Sequence, residues 1–221
     1  MLNSRTVNNL YRKLNLQIPT PKTELLYNNN FQLLISVILT AQTTDKTVNL
    51  VTPILFNKYP DPRSMIKGGE KNIAHIIRKI GLAPTKTKNI IQTCRILLKE
   101  HEGKIPSSRE DLEKLPGVGR KTANVVLNEA FGVPTIAVDT HVFRVAKRTG
   151  LANGKTVLEV EKQLLEITPK KWKQDAHHYL ILHGRYSCKA KNFNCSTCVI
   201  IKECQYPYKS KYRIEKIRSR F

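Results

Sequence analysis

Four cysteines crowd into residues 188–204: Cys188, Cys195, Cys198 and Cys204, spaced C-x6-C-x2-C-x5-C. Thiols that close together in a reducing compartment are metal ligands, whereas a secreted disulfide framework would use an even number spread through the fold. The fifth, Cys94, is remote and sits on an apolar helical face, the place of a small core residue. Zinc sites usually carry two short Cys pairs separated by a longer loop, and here there is one. The ferredoxin run, with two residues between successive cysteines, does not match either. Lys189, Lys191 and Lys202 stand among the thiols, so a metal that shaped this loop would also display its cations.

A second group is the nonapeptide Leu115-Pro116-Gly117-Val118-Gly119-Arg120-Lys121-Thr122-Ala123. Pro116 stops one helical pattern, two glycines turn the chain, and the next helix opens with its unpaired N–H groups and positive dipole end available to an anion. Read alone, Gly117 and Gly119 suit an ordinary tight connection equally well. Ala123, Val126, Leu127 and Ala130 form the apolar stripe of the second helix, which puts Lys121, Asn124 and Asn128 on the opposite face. The positive helix end opposes an ammonium at Lys121, and a neutral amine is a nucleophile for imine chemistry. The plain alternative is a solvated surface lysine. A third group, Ile136-Ala137-Val138-Asp139-Thr140-His141-Val142, carries Asp139 where a helix N-cap belongs, a role that needs no chemistry.

Together these groups resemble the DNA glycosylases of the endonuclease III family. The nonapeptide resembles their helix-hairpin-helix motif, the cysteine spacing resembles their [4Fe-4S] loop, and Val138-Asp139-Thr140-His141 resembles the context of their active-site aspartate. Leu39-Thr40-Ala41-Gln42-Thr43-Thr44-Asp45 and Ile181-Leu182-His183-Gly184-Arg185 extend the likeness from about Leu25 to Cys204. The resemblance implies that Lys121 attacks C1′ of a flipped, damaged pyrimidine nucleotide and that Asp139 helps to activate it and stabilises charge at that carbon. It implies phosphate contacts along Gly117, Val118, Gly119, Arg120 and Thr122, with His141 and Arg144 as helpers or further contacts. Gln42 would fill the gap left in the duplex, Leu82 would act as a second wedge, and Cys188, Cys195, Cys198 and Cys204 would hold one [4Fe-4S] cluster.

The resemblance also implies two helical domains with the active groove between them. One is a six-helix bundle, residues 23–133, containing the hairpin at about 109–128. The other is a cluster domain made of residues 1–22 plus 134–221, with the cluster loop at 188–204 and a basic tail at 205–221. The reaction it implies is removal of oxidised pyrimidines from double-stranded DNA, then cleavage of the abasic strand by β-elimination. An adenine glycosylase that cuts no backbone is the alternative within the class, against which Lys121 argues. A non-catalytic iron-sulfur DNA-binding protein is the alternative outside it, and it leaves Lys121 and Asp139 unexplained.

The elements that must position these residues read as short helices. Ile90, Ile91, Cys94, Leu97 and Leu98 share one face of Asn89–Leu98, and Gly103 follows as a stop. Thr156 with Glu159 forms a capping box ahead of Val157, Leu158, Val160, Leu164 and Leu165, and Pro169 ends that pattern. Phe31–Ala41 reads as a buried helix. Similar patterns cover Asp45–Lys58, Asn72–Ile80, Arg109–Leu115, Arg120–Phe131, Thr140–Thr149 and Trp172–His183. Thr135–Val138 is the one short strand candidate, so the chain is expected to be all-α with about nine or ten helices.

Composition agrees with this reading. The chain has 221 residues, 40% hydrophobic and 25% charged, enough apolar content for a core. Lys and Arg number 38 against 17 acidic residues, a formal charge of +21. A balance that basic favours a polyanion such as DNA, although a lysine-rich solvated surface would look similar. No run reaches the ~18–20 apolar residues of a membrane span, and Met1–Asn9 lacks the apolar core of a secretory signal. The expectation is a monomeric, cytoplasmic, nucleoid-associated protein with no membrane partner. The basic tail at 205–221 is expected to fray or to lie on a phosphate backbone.

Overall fold

The computed structural model describes residues 2–210; residues 211–221, most of the basic tail, lie outside them. Its elements are α1 Ser4–Gln17, α2 Asn30–Leu39, α3 Asp45–Lys58, α4 Pro62–Ile76, α5 Ala83–Glu100, α6 Arg109–Glu113, α7 Arg120–Phe131, α8 Thr140–Thr149, α9 Val157–Ile167 and α10 Ala176–Tyr186, with 3-10 turns at Lys170–Trp172 and Pro207–Ser210. The all-α expectation holds, and no strand forms among the described residues. Thr135–Val138 is buried but pairs with no strand: the carbonyl of Ala137 lies 2.8 Å from Nδ1 of His177. The chain divides into two compact units, Glu24–Val133 and Met1–Thr23 with Pro134–Phe221.

In the first unit, α2 is apolar on every side and every residue from Phe31 to Leu39 is buried. A helix of that kind is stable only at the centre of a bundle. It packs against α3, α5 and α7. Asn29 caps it by accepting from the N–H of Gln32 at 2.9 Å. Of the Asn72–Ile80 pattern only Asn72–Ile76 is helical, as the end of α4, and residues 77–80 form turns; α4 starts at Pro62 under a capping box between Asp61 and Ser64 and bends at Gly69, φ +71°. Likewise α5 begins at Ala83, ahead of the apolar periodicity from Asn89, because Pro84 near its N-terminus is compatible with a first turn.

In the second unit, α1 joins chain segments from the far end of the sequence. Leu10, Tyr11 and Leu14 are fully buried with Val142, Val145, Leu164, Leu180 and Ile200. Polar pairs fix the register of this packing. Tyr11 Oη lies 3.0 Å from Thr168 Oγ1, Tyr179 Oη donates to Asn15 Oδ1 at 2.7 Å, and Trp172 Nε1 donates to Asn8 Oδ1 at 3.0 Å. The Tyr11 ring stacks near Trp172 with centroids 6.4 Å apart. Trp172 is the chain's single tryptophan, so its emission reports on this unit. Tyr11→Phe is expected to lower the unfolding free energy read by tryptophan fluorescence by about 1 kcal/mol, the contribution of one buried hydrogen bond. An unchanged midpoint would show that the hydroxyl pair does not set this register.

Candidate active site and metal centre

The hairpin is built from its backbone outward. Ser108 caps α6 by accepting from the N–H of Asp111 at 3.1 Å, and the N–H of Val118 closes the turn on the carbonyl of Leu115 at 3.0 Å. Thr93 of α5 donates to the carbonyl of Pro116 at 3.2 Å, tying the turn to the bundle. Gly117 has φ +81°, and a Cβ there would lie 2.9 Å from Asn89 Nδ2. The left-handed backbone favours glycine, and a side chain there would also have to push the Asn89 amide aside. Gly119 is different: its backbone is extended, φ −95°, and a Cβ would meet nothing within 4 Å. The expectation that both glycines serve conformation is therefore corrected. Gly119 leaves an open surface at the start of α7, where no side chain caps the helix.

Lys121 is the second residue of α7 and is half-buried, between exposed Arg120 and half-buried Thr122. The polar face drawn from Lys121 through Asn124 and Asn128 is not an open one, because Asn124 is fully buried and Asn128 is 4% exposed. Asn124 Oδ1 accepts from Arg109 Nε at 3.0 Å, which links the two helices of the hairpin, and Asn128 donates to the carbonyl of Val133 at 3.3 Å. Asparagine spacing alone cannot distinguish a solvent face from a polar seam between helices.

Gln42 and Leu82 lie in the same unit and share an uncommon backbone. Gln42 has φ +54° and Leu82 has φ +61°, both left-handed and both costly for residues with a Cβ. Both side chains are exposed, Leu82 to 54%. Their loops touch, since a Cβ on Gly81 would lie 3.6 Å from the carbonyl oxygen of Gln42.

In the other unit, Asp139 performs the capping role expected of it: Oδ1 accepts from the N–H of Val142 at 2.8 Å. It also lines a depression of about 520 Å³ with Val138, Thr140, Phe143, Lys155, Thr156 and Val157. The Thr156–Glu159 box closes with a shift of one residue, as Glu159 Oε2 accepts from the N–H of Lys155 at 2.7 Å. Arg144 points toward the cysteine loop, donating from Nε to the carbonyl of Cys188 at 3.0 Å and from Nη2 to that of Gly184 at 2.8 Å. Burial lowers its pKa from the ordinary arginine value. Its Nη2 also lies 3.2 Å from Nδ1 of His141, so these two residues brace each other on α8.

The four cysteines of the loop form no disulfide. Burial raises the thiol pKa values of Cys195, Cys198 and Cys204, and the neighbouring thiols raise each of them further. Among the described residues, no three His, Cys, Asp or Glu side chains converge on one point as a single metal ion would require. Four thiols are, by number and chemistry, the donor set of an iron–sulfur cluster, one thiolate to each of four irons. Donors also surround the sulfurs: the N–H of Tyr206 lies 3.4 Å from Cys204 Sγ, and Nη1 of Arg148 lies 3.5 Å from Cys188 Sγ. Arg148 was not legible as a site residue. It donates to the carbonyl of Lys189 at 2.7 Å and stacks its guanidinium on Phe193, 4.2 Å from the ring centroid. Its one signal was its place a helical turn after Arg144. Lys189, Lys191 and Lys202 are exposed, while Cys94 is fully buried as a core residue.

Comparison with known proteins adds a decisive likeness. Residues 35–170 match the family described as HhH-GPD superfamily base excision DNA repair protein. Endonuclease III of Rickettsia prowazekii (strain Madrid E) is 50% identical over 205 residues, covering 93% of this chain and 97% of that protein. The chain belongs to the endonuclease III family. The Escherichia coli (strain K12) member is 52% identical over 191 residues, covering 86% and 90%. A solved structure of a trapped endonuclease III-DNA covalent intermediate, an estranged-adenine complex, superposes with a TM-score of 0.89 at 44% identity, covering 97% of this chain and all of that one.

The two glycines make a paired prediction. Gly117→Ala is expected to cost about 1–2 kcal/mol in thermal or urea unfolding, from left-handed strain plus the clash with Asn89. Gly119→Ala is expected to stay within about 0.5 kcal/mol of the parent and yet weaken binding to duplex DNA measured by fluorescence anisotropy. Equal stability losses in the two variants would contradict the assignment.

Proposed function

We propose that this member of the family is a base excision DNA repair enzyme, a bifunctional N-glycosylase and abasic-site lyase acting on oxidised pyrimidines in double-stranded DNA. The observation that carries the reading is Lys121 itself, an amine in the first turn of the helix that follows the glycine hairpin. A first helical turn attracts phosphate through its N–H groups and opposes positive charge on the amine beside it. The same short segment thus supports holding the DNA backbone and supplying a nucleophile. In the proposed reaction Lys121 Nζ attacks C1′ of the extruded nucleotide, the glycosidic bond breaks and the base departs with its electron pair. The sugar ring opens to give an imine on Lys121. Loss of a C2′ proton then expels the 3′ phosphate by β-elimination, and water hydrolyses the imine to return the lysine.

Asp139 is the proposed carboxylate of this chemistry. Its Oδ1 is committed to the cap of α8, which holds the group rigid, and a pre-placed negative charge stabilises cationic character as it develops at C1′. Gly117, Val118, Gly119, Arg120 and Thr122 are the proposed phosphate contacts, and Gln42 and Leu82 the proposed wedge that fills the vacated stack. Cys188, Cys195, Cys198 and Cys204 would hold the [4Fe-4S] cluster. When bound, such a cluster supplies order to a loop with little apolar content of its own. His141 and Arg144 are proposed to support the DNA-facing surface by bracing α8 against that loop.

No helix among the described residues is long and apolar enough to cross a membrane, and action on DNA supports work in the cytoplasm. Strand cleavage of a duplex carrying one thymine glycol tests the reading. The parent protein is expected to release the base and nick the strand, Lys121→Ala to do neither, and Asp139→Asn to be slowed by about a hundredfold or more. Undiminished nicking by Lys121→Ala would contradict it. Base release without nicking by the parent would favour the monofunctional alternative.

A further inference from the structure

Lys86 has no role in the chemistry described above, and its setting is unusual for a lysine. It is 4% exposed, in the first turn of α5. Lysine is almost never buried unless its charge is met, because removing an ammonium from water is costly. Here the three donors of one ammonium meet three oxygens of one loop. Nζ donates to the carbonyl of Leu39 at 2.9 Å, to the carbonyl of Ala41 at 2.6 Å and to Thr43 Oγ1 at 3.1 Å.

The acceptors explain why the cation is tolerated. Leu39 is the last residue of α2, and a helix C-terminus leaves carbonyls unpaired at the negative end of its dipole. Lys86 stands near the positive end of its own helix, the wrong place for an ammonium, and is held there by the right end of another. Burial pulls its pKa below the ordinary lysine value. The backbone of Lys86 is tied as firmly to the second loop, since its N–H donates to the carbonyl of Leu82 at 3.0 Å.

One residue therefore grips both sides of a pair. Gln42 lies between the two loop acceptors Ala41 and Thr43, and Leu82 accepts from the main chain of Lys86. Both hold left-handed backbones that persist only where the surroundings over-determine them. We propose that Lys86 is a positioning residue that locks the Gln42 and Leu82 loops into one rigid wedge for extrusion of the damaged nucleotide. This rests on the wedge roles proposed above for Gln42 and Leu82. Lys86 touches no DNA and takes no part in the imine; it presets the backbone that has to enter the stack, so that the duplex is opened without first ordering a loop.

The test compares single-turnover excision of thymine glycol from a duplex with imine trapping on a single-stranded abasic oligonucleotide, in which there is no stack to fill. Lys86→Met is expected to slow duplex excision by about ten- to a hundredfold while leaving single-strand trapping at the parent rate. The paired change Gln42→Ala with Leu82→Ala is expected to slow the duplex reaction similarly, and adding Lys86→Met to that pair to cause no further loss. Multiplied losses in the triple variant, or a parent-like duplex rate for Lys86→Met, would overturn the inference and leave the wedge reading standing. If Lys86→Met loses the single-strand reaction as well, Thr43→Val decides, since it withdraws one acceptor from a half-exposed side chain. A duplex-only slowing by Thr43→Val supports the inference, and a parent-like rate overturns it. Parent-rate duplex excision by the Gln42, Leu82 pair variant removes the wedge reading itself, and the inference with it.

Discussion

The left-handed turn at Gly117 is the constraint on which the α6–α7 hairpin depends. With φ at +81° and Asn89 filling the space where a side chain would go, the chain reverses in very few residues and α7 opens with its first turn at the surface. Thr93 holds the turn from the bundle side, and Arg109 reaches Asn124 across the two helices. Lys121 follows from this as the second residue of a helix whose entry is bare of side-chain caps. The same geometry that presents amides to an anion thus fixes where the amine stands.

In the other unit, α8 carries a comparable double duty. Its first turn is capped by Asp139, and its later turns send Arg144 and Arg148 into the cysteine loop, to the carbonyls of Cys188 and Lys189. The near end of α8 is held by the Asp139 cap, and its later turns are held by hydrogen bonds to the loop. Cys188 and Cys198 pack against the core of the unit, so the loop is continuous with that core. Its exposed lysines are a surface feature laid over a fixed frame.

Much of this was legible in the sequence because the informative features are local. The apolar run from Phe31 to Ala41 announces a buried helix, which ends two residues early at Leu39, and Thr156 and Asp139 announce helix starts. What escaped depends on tertiary partners. The polarity of Asn124 and Asn128 reads as a solvent face until Arg109 and the Val133 carbonyl are found beside them. The apolar Thr135–Val138 reads as a strand until the Ala137 carbonyl is seen to meet His177. Lys86 sits between Ala83 and Ile90 at core spacing, a signal visible in the periodicity but without meaning until the carbonyls of the α2 C-terminus are placed around it.

The central claim is that one particular amine, Lys121, forms the bond to the sugar. Borohydride reduction during reaction with thymine glycol duplex would freeze an imine as a stable amine, and peptide mapping of the trapped protein by mass spectrometry would locate it. The account predicts a reduced sugar adduct on the peptide that contains Lys121, with the fragment ions placing it on that residue. An adduct carried by another lysine or by the N-terminal amine, from protein that excises the base at full rate, would contradict it.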